Sequence, residues 1–182
     1  MTNISQVDKF VKVLTELFDN SRLIIEDLHQ HGVTNLTPLN VDLIKNVVLN
    51  KDKFYLIKTF IETSYPYWDN IKSKNDDFFI NNSDKIFGEY AKYDELNSIK
   101  VIFGKNAQGN PAVDNETKDS LRPFFNSLIK ISIRYIFECK EPNIERIEED
   151  GKKKVKISYK SNAYPHIRVL DVAKLWGVEL IP

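Results

Sequence analysis

Apolar residues along most of this chain recur at steps of three and four, the period of a helix with one buried face. From Ser5 to His31 the positions Val7, Phe10, Val11, Leu14, Leu17, Phe18, Ile24, Ile25 and Leu28 follow that rule. Ser5, with Asp8 three residues on, reads as an N-cap; Asp19-Asn20-Ser21 reads as a kink or split, and Gly32 as the stop. Thr37-Pro38 then predicts a cap followed by proline in the first helical position, with Val41, Ile44, Val47 and Val48 as the apolar face of a second helix. Phe54, Ile57, Phe60 and Ile61 give a third, broken at Pro66. Trp68 and Ile71 fit a short helix. Asp76-Asp77 open another that carries Phe78, Phe79, Ile86 and Phe87 as far as Gly88. Tyr93, Leu96, Ile99 and Ile102 predict one more, up to Gly104.

Gly104 to Asn115 is the clearest loop, built on Gly104, Asn106, Gly109, Asn110 and Pro111. Beyond it, with Asn115 or Thr117 as cap, Leu121, Phe124, Phe125, Leu128, Ile129, Ile131, Ile133, Tyr135 and Ile136 cover most of a helix circumference, the pattern of a central core helix. Its β-branched isoleucines make a strand the competing reading, and length decides for the helix. After Pro142 the period changes. Ile144 to Glu149, Asp150-Gly151 and Lys152 to Lys160 predict a β-hairpin. In its second strand Val155, Ile157 and Tyr159 alternate with Lys154, Lys156 and Ser158. Leu170, Ala173, Leu175 and Trp176 predict a short closing helix ended by Gly177. The expected fold is mainly α: a multi-helix globular bundle forming one domain over 1–182, with a helical core over 1–140 and a small C-terminal β-hairpin plus closing helix over 141–182.

Composition narrows the class. The 182 residues are 42% hydrophobic, and 26 lysines and arginines balance 26 aspartates and glutamates. This is globular composition with no basic excess, which argues against a dedicated nucleic-acid binder. Abundant lysine, isoleucine and asparagine match AT-rich coding sequence. One cysteine, Cys139, permits no internal disulfide and no thiolate zinc site, so a reducing, cytoplasmic compartment is expected. The first residues carry no signal-peptide pattern, and no run of about 20 apolar residues predicts a membrane span.

Candidate chemistry is sparse. His29 and His31 point to different faces of a helix, and His166 follows Pro165, so no metal-ligand spacing is met. Gly104-Lys105-Asn106-Ala107-Gln108-Gly109 lacks the Gly-Lys-Ser/Thr of a phosphate loop and reads as a surface loop. Cys139 has no visible base, and the pairs Asp76-Asp77 and Asp94-Glu95 read as helix-start acids. The sequence therefore predicts no catalytic, cofactor-binding or metal site. Two recognition features remain. The aromatic middle, Tyr65, Tyr67, Trp68, Phe78 and Phe79, is a candidate protein interface, competing with plain core packing. Lys152, Lys153, Lys154 and Lys156 are the candidate nucleic-acid contact, although Glu145, Glu148, Glu149 and Asp150 lie across the turn.

Tyr67-Trp68-Asp69-Asn70-Ile71, Asp76-Asp77-Phe78-Phe79, Ile86-Phe87 and Leu128-Ile129-Lys130-Ile131-Ser132-Ile133-Arg134-Tyr135-Ile136 resemble segments of uncharacterised small proteins of large nucleocytoplasmic DNA viruses, over roughly residues 54–140. The resemblance implies an intracellular or virion protein, a minor structural component of the particle, residing in host cytoplasm or virion. The expected function is a non-enzymatic structural or protein-interaction protein that binds a protein partner or itself. The alternative is a nucleic-acid-associated accessory protein using the lysine hairpin.

Overall fold

A computed structural model describes residues 5–87, 97–161 and 164–180; for 84–87, 140–143 and 157–161 it describes the backbone alone. The fold is mainly α, with one two-stranded antiparallel ribbon near the C-terminus. Its contacts divide into two compact units, Met1–Ile129 and Lys130–Pro182, and the division falls inside one long helix.

In the first unit, α1 (Gln6–Gln30) begins where Ser5 accepts a hydrogen bond from the Asp8 amide. It runs unbroken through Asp19-Asn20-Ser21, because Ser21 lies on the buried face with Leu14, Leu17 and Ile25. Gly32, at φ +69°, ends it, and the Val33 amide reaches back to the Leu28 carbonyl to close the terminus. α2 (Pro38–Leu49) starts from a complete capping box. Thr37 Oγ1 accepts from the Asn40 amide, and Asn40 Oδ1 accepts from the Thr37 amide. Asp52 caps α3 (Lys53–Ser64) by accepting from the Phe54 and Tyr55 amides. Pro66 produces a single 3-10 turn, Tyr65–Tyr67, and the chain continues as α4 (Trp68–Lys72). α5 (Asp76–Phe87) is kinked at Asn82, and α6 (Ser98–Phe103) stops at Gly104, where a Cβ would sit 2.7 Å from the Lys100 carbonyl oxygen. α1 packs on α2, α3 and α6, while α5 packs on α3 and α6. Tyr93 and Leu96 lie outside the described residues.

α7 (Asn115–Glu138) is a helix through its full apolar length, and its cap is Asp114, whose carboxylate accepts from the Thr117 amide. It absorbs Pro123 in its third turn. Leu121, Phe125, Leu128 and Ile129, which belong to the first unit, and Ile131, Ile133, Tyr135, Ile136 and Phe137, which belong to the second, are buried. The second unit adds β1 (Lys140–Glu149), β2 (Lys152–Ser161) and α8 (Val169–Leu175). Asp150 and Gly151, at φ +53° and +72°, make the two-residue turn that Asp-Gly favours. The hairpin is longer than its apolar alternation indicates and takes Pro142 into β1. Tyr164, Ile167, Ala173, Trp176 and Val178 are buried around α8. Among the described residues no helix is long and apolar enough to cross a membrane.

Candidate interaction surfaces

The structure splits the aromatic middle. Trp68, Phe78 and Phe79 are core residues. Trp68 Nε1 donates to Ser64 Oγ (2.9 Å), which in turn donates to the Phe60 carbonyl, so the indole is buried with its polar atom satisfied. Phe79 stacks on Phe103 at 4.6 Å and meets Phe125 at 5.1 Å, which locks α5, α6 and the first half of α7 together. Tyr65 and Tyr67 keep partial exposure, at the edge of Trp68 (5.3 Å) and against Phe78 (5.4 Å) respectively. Of the five expected interface aromatics, three therefore serve packing and two stand at its rim. The reason is position: Phe78 and Phe79 enter α5 where three helices converge.

An exposed apolar stripe lies elsewhere, on α2. Leu39, Leu43 and Val47 are 74%, 55% and 40% exposed. Their spacing of four places them in one stripe along the helix. Only Val41 and Val48 of this helix are buried, and Ile44 is half-buried. Val47, expected on the inner face, thus belongs to the outer one. The charged side chains of α2 are held by α1: Asp42 receives Arg22 Nε at 3.0 Å, and Lys45 Nζ reaches Asp19 at 2.7 Å. These two bridges fix the rotation of α2 and thereby turn Leu39, Leu43 and Val47 outward.

In the ribbon, residues opposite each other share a face. The register pairs Glu145 with Lys156, Glu148 with Lys153 and Glu149 with Lys152. Lys154, opposite Ile147, reaches Glu149 diagonally at 3.3 Å. The four lysines are exposed, yet each has a carboxylate opposite or diagonal to it. Ile144, Ile147 and Val155 are exposed as well, so among the described residues both faces of the distal ribbon carry exposed apolar side chains.

A polar node joins α5 to α7 within the first unit. Asp76 accepts from Lys118 Nζ (2.9 Å) and Arg122 Nη2 (2.6 Å). Arg122 Nε donates to Asp119 at 2.9 Å, and its guanidinium lies 5.4 Å over the Phe103 ring. Burial pushes the Asp76 carboxyl up, but the hydrogen bonds from Arg122 and Lys118 outweigh it and hold the group below its ordinary value. Sequence reasoning placed Asp76 at a helix start and missed its partners, which lie 42 and 46 residues away.

The remaining candidates are dispersed. His29 Nδ1 and His31 Nδ1 bond to the Thr34 and Asp27 carbonyls. Cys139 is half-buried one turn beyond Tyr135, whose hydroxyl is pushed up to about 12, chiefly by burial and also by Cys139. Asn106 Oδ1 accepts from the Gln108 and Asn110 amides and so folds the Gly104–Gly109 loop on itself. Asp94-Glu95 falls outside the described residues. Among the described residues, no three His, Cys, Asp or Glu side chains group as metal ligands. Comparison with family models, curated proteins and solved structures finds no match.

Proposed function

We propose that this chain is a non-enzymatic protein-interaction module that docks through the outer face of α2. One observation carries the reading. Seven of the twelve residues of α2 are apolar, yet only two are buried, and Leu39, Leu43 and Val47 form a continuous exposed stripe. A helix apolar on more than one side is ordinarily enclosed, and contiguous exposed apolar surface marks an interaction site. Spacing at i, i+4 and i+8 is how a helix presents anchors to a partner. The resemblance to viral proteins extends the reading to a minor structural component of a particle, to be sought by mass spectrometry of purified virions. The nucleic-acid alternative has less support, because acidic residues face the hairpin lysines across the register.

A photoreactive amino acid placed at position 43 in cells tests the proposal. The expected result is a discrete protein adduct at Leu43 and none at Lys58, an exposed polar position on α3. Absence of an adduct at 43, with the protein folded and abundant, would remove the reading.

A further inference from the structure

We infer that the ribbon of the second unit takes up an acidic extended segment of a partner protein, added as a third strand along the outer edge of β2. This surface is independent of the reading of α2.

The edge itself is the first observation. Asp150 and Gly151 form a two-residue turn with positive φ, so Glu149 and Lys152 are the hydrogen-bonded pair that closes it. Such pairs alternate with non-hydrogen-bonded ones along an antiparallel ladder. The backbone groups of Lys152, Lys154 and Lys156 therefore point into the ribbon, and those of Lys153, Val155, Ile157 and Tyr159 point away from it. Among the described residues the sheet has two strands, so none of them pairs with that edge. The outward edge of β1 is interrupted: Pro142, opposite Tyr159, falls at an outward position and has no N–H to offer. β2 thus holds the continuous row of outward donors and acceptors.

Charge is the second observation. Alternation along the strand places Lys152, Lys154 and Lys156 on one face of β2. Every residue from Ile144 to Lys156 is exposed. Among the described residues Lys154 alone of the lysines from 152 to 156 is in an ion pair. An added strand lies about 4.8 Å from β2 and about twice that from β1. The Debye length at physiological ionic strength is about 8 Å, so the segment meets the lysines at close range while the glutamates of β1 are largely screened. The matching segment carries carboxylates at alternate positions, against Lys152, Lys154 and Lys156, and an apolar residue between them, against exposed Val155. Lysines on a free edge keep like strands away; the same row selects an acidic one.

A second copy fits less well. β2 against β2 sets lysines beside lysines, and β1 against β1 sets glutamates beside glutamates. β1 against β2 uses the edge that Pro142 interrupts and leaves open edges at both ends. A nucleic-acid duplex spans both strands and meets Glu145, Glu148 and Glu149 as well.

Titration of the full chain with a blocked synthetic peptide of alternating glutamate and valine tests the inference, read by fluorescence anisotropy and amide hydrogen exchange. Binding is expected at low salt, falling about tenfold or more as salt is raised to about 0.5 M. The amides of Lys153 and Val155 should gain protection, and those of Arg146 and Glu148, outward on β1, should not. Val155→Pro removes one outward donor without breaking a ribbon bond, and should abolish binding while the Lys154 amide stays protected. Should the ribbon itself be lost in that variant, the pair Lys154→Glu and Lys156→Glu decides: it should lose the peptide and bind the lysine–valine counterpart. No binding at low salt would overturn the inference, as would binding that leaves Lys153 and Val155 unprotected. Protection of these amides without peptide, rising with protein concentration, would assign the edge to a second copy. Stronger protection by an oligonucleotide would assign it to nucleic acid. Either result contradicts the inference.

Discussion

Replacing Asp76 by asparagine is the sharpest test of how the first unit is held together. The substitution keeps the size of the side chain and removes its charge. Lys118 then loses its only ion-pair partner among the described residues, and Arg122 keeps Asp119. The side chains of Lys118 and Arg122 are 6% and 11% exposed, so water cannot take over from the carboxylate. Removing one partner of a buried ion pair costs about 3–5 kcal/mol. Asp76 is itself about one-third exposed, which places the expectation at the lower end, about 3 kcal/mol. For a chain of this length that lowers Tm by roughly 6–12 °C. The assay is chemical and thermal denaturation of the wild type, Asp76→Asn and Asp119→Asn. The last removes a half-exposed carboxylate and is expected to cost about 0–1 kcal/mol. Adding Lys118→Met to Asp76→Asn should recover most of the loss, because the stranded ammonium is gone. The pH dependence follows from the lowered Asp76 value. A carboxylate whose folded pKa lies below its unfolded one stabilises fully above the unfolded value, and that stability is lost as pH falls through the folded value. The gap between wild type and Asp76→Asn should therefore be constant near neutrality and close as the pH drops below 3.8, the ordinary value. An Asp76→Asn variant no less stable than Asp119→Asn would refute the reasoning.

Phe79→Ala should cost about 3–5 kcal/mol in denaturant unfolding, as loss of a buried ring that stacks on Phe103 and touches Phe125, whereas Tyr65→Ala should cost much less. Equal losses would contradict the division of the aromatic segment into core and rim. Thr37→Ala should remove about 1 kcal/mol through the capping box and speed hydrogen exchange within α2 above all. At about 0.15 M ionic strength the hairpin lysines should give no salt-dependent gel shift of nucleic acid. A shift abolished by charge reversal at Lys152 to Lys156 would reinstate the nucleic-acid alternative.

Helical periodicity made α1, α3, α4 and α7 legible in the sequence, and Asp150-Gly151 gave the hairpin turn. These signals are local: a cap, a turn residue or one apolar face is written within a few neighbouring positions. What stayed hidden depends on distant partners. α2 is apolar on more than one side, so its period selects no unique inner face; the bridges from Arg22 and Asp19 choose it, and they assign Val47 outward. The aromatic segment failed for a related reason. Phe79 differs from Tyr65 and Tyr67 in what α6 and α7 bring to it, 24 and 46 residues further along the chain. The Asp76 node is likewise invisible to spacing rules. Ser21 reads locally as a helix breaker, yet its small side chain faces the buried side of a continuous α1.

The central claim is that Leu39, Leu43 and Val47 of α2 form an apolar face exposed among the described residues. Its most direct test is the stability, in dilute solution, of the triple substitution Leu39→Gln, Leu43→Gln and Val47→Gln. Exposed positions predict a Tm within the change of about 0.5 kcal/mol typical of surface substitutions, while Val48→Ala on the inner face lowers it clearly. A triple variant that loses as much stability as Val48→Ala, or more, would show the stripe packed within the chain and contradict the account.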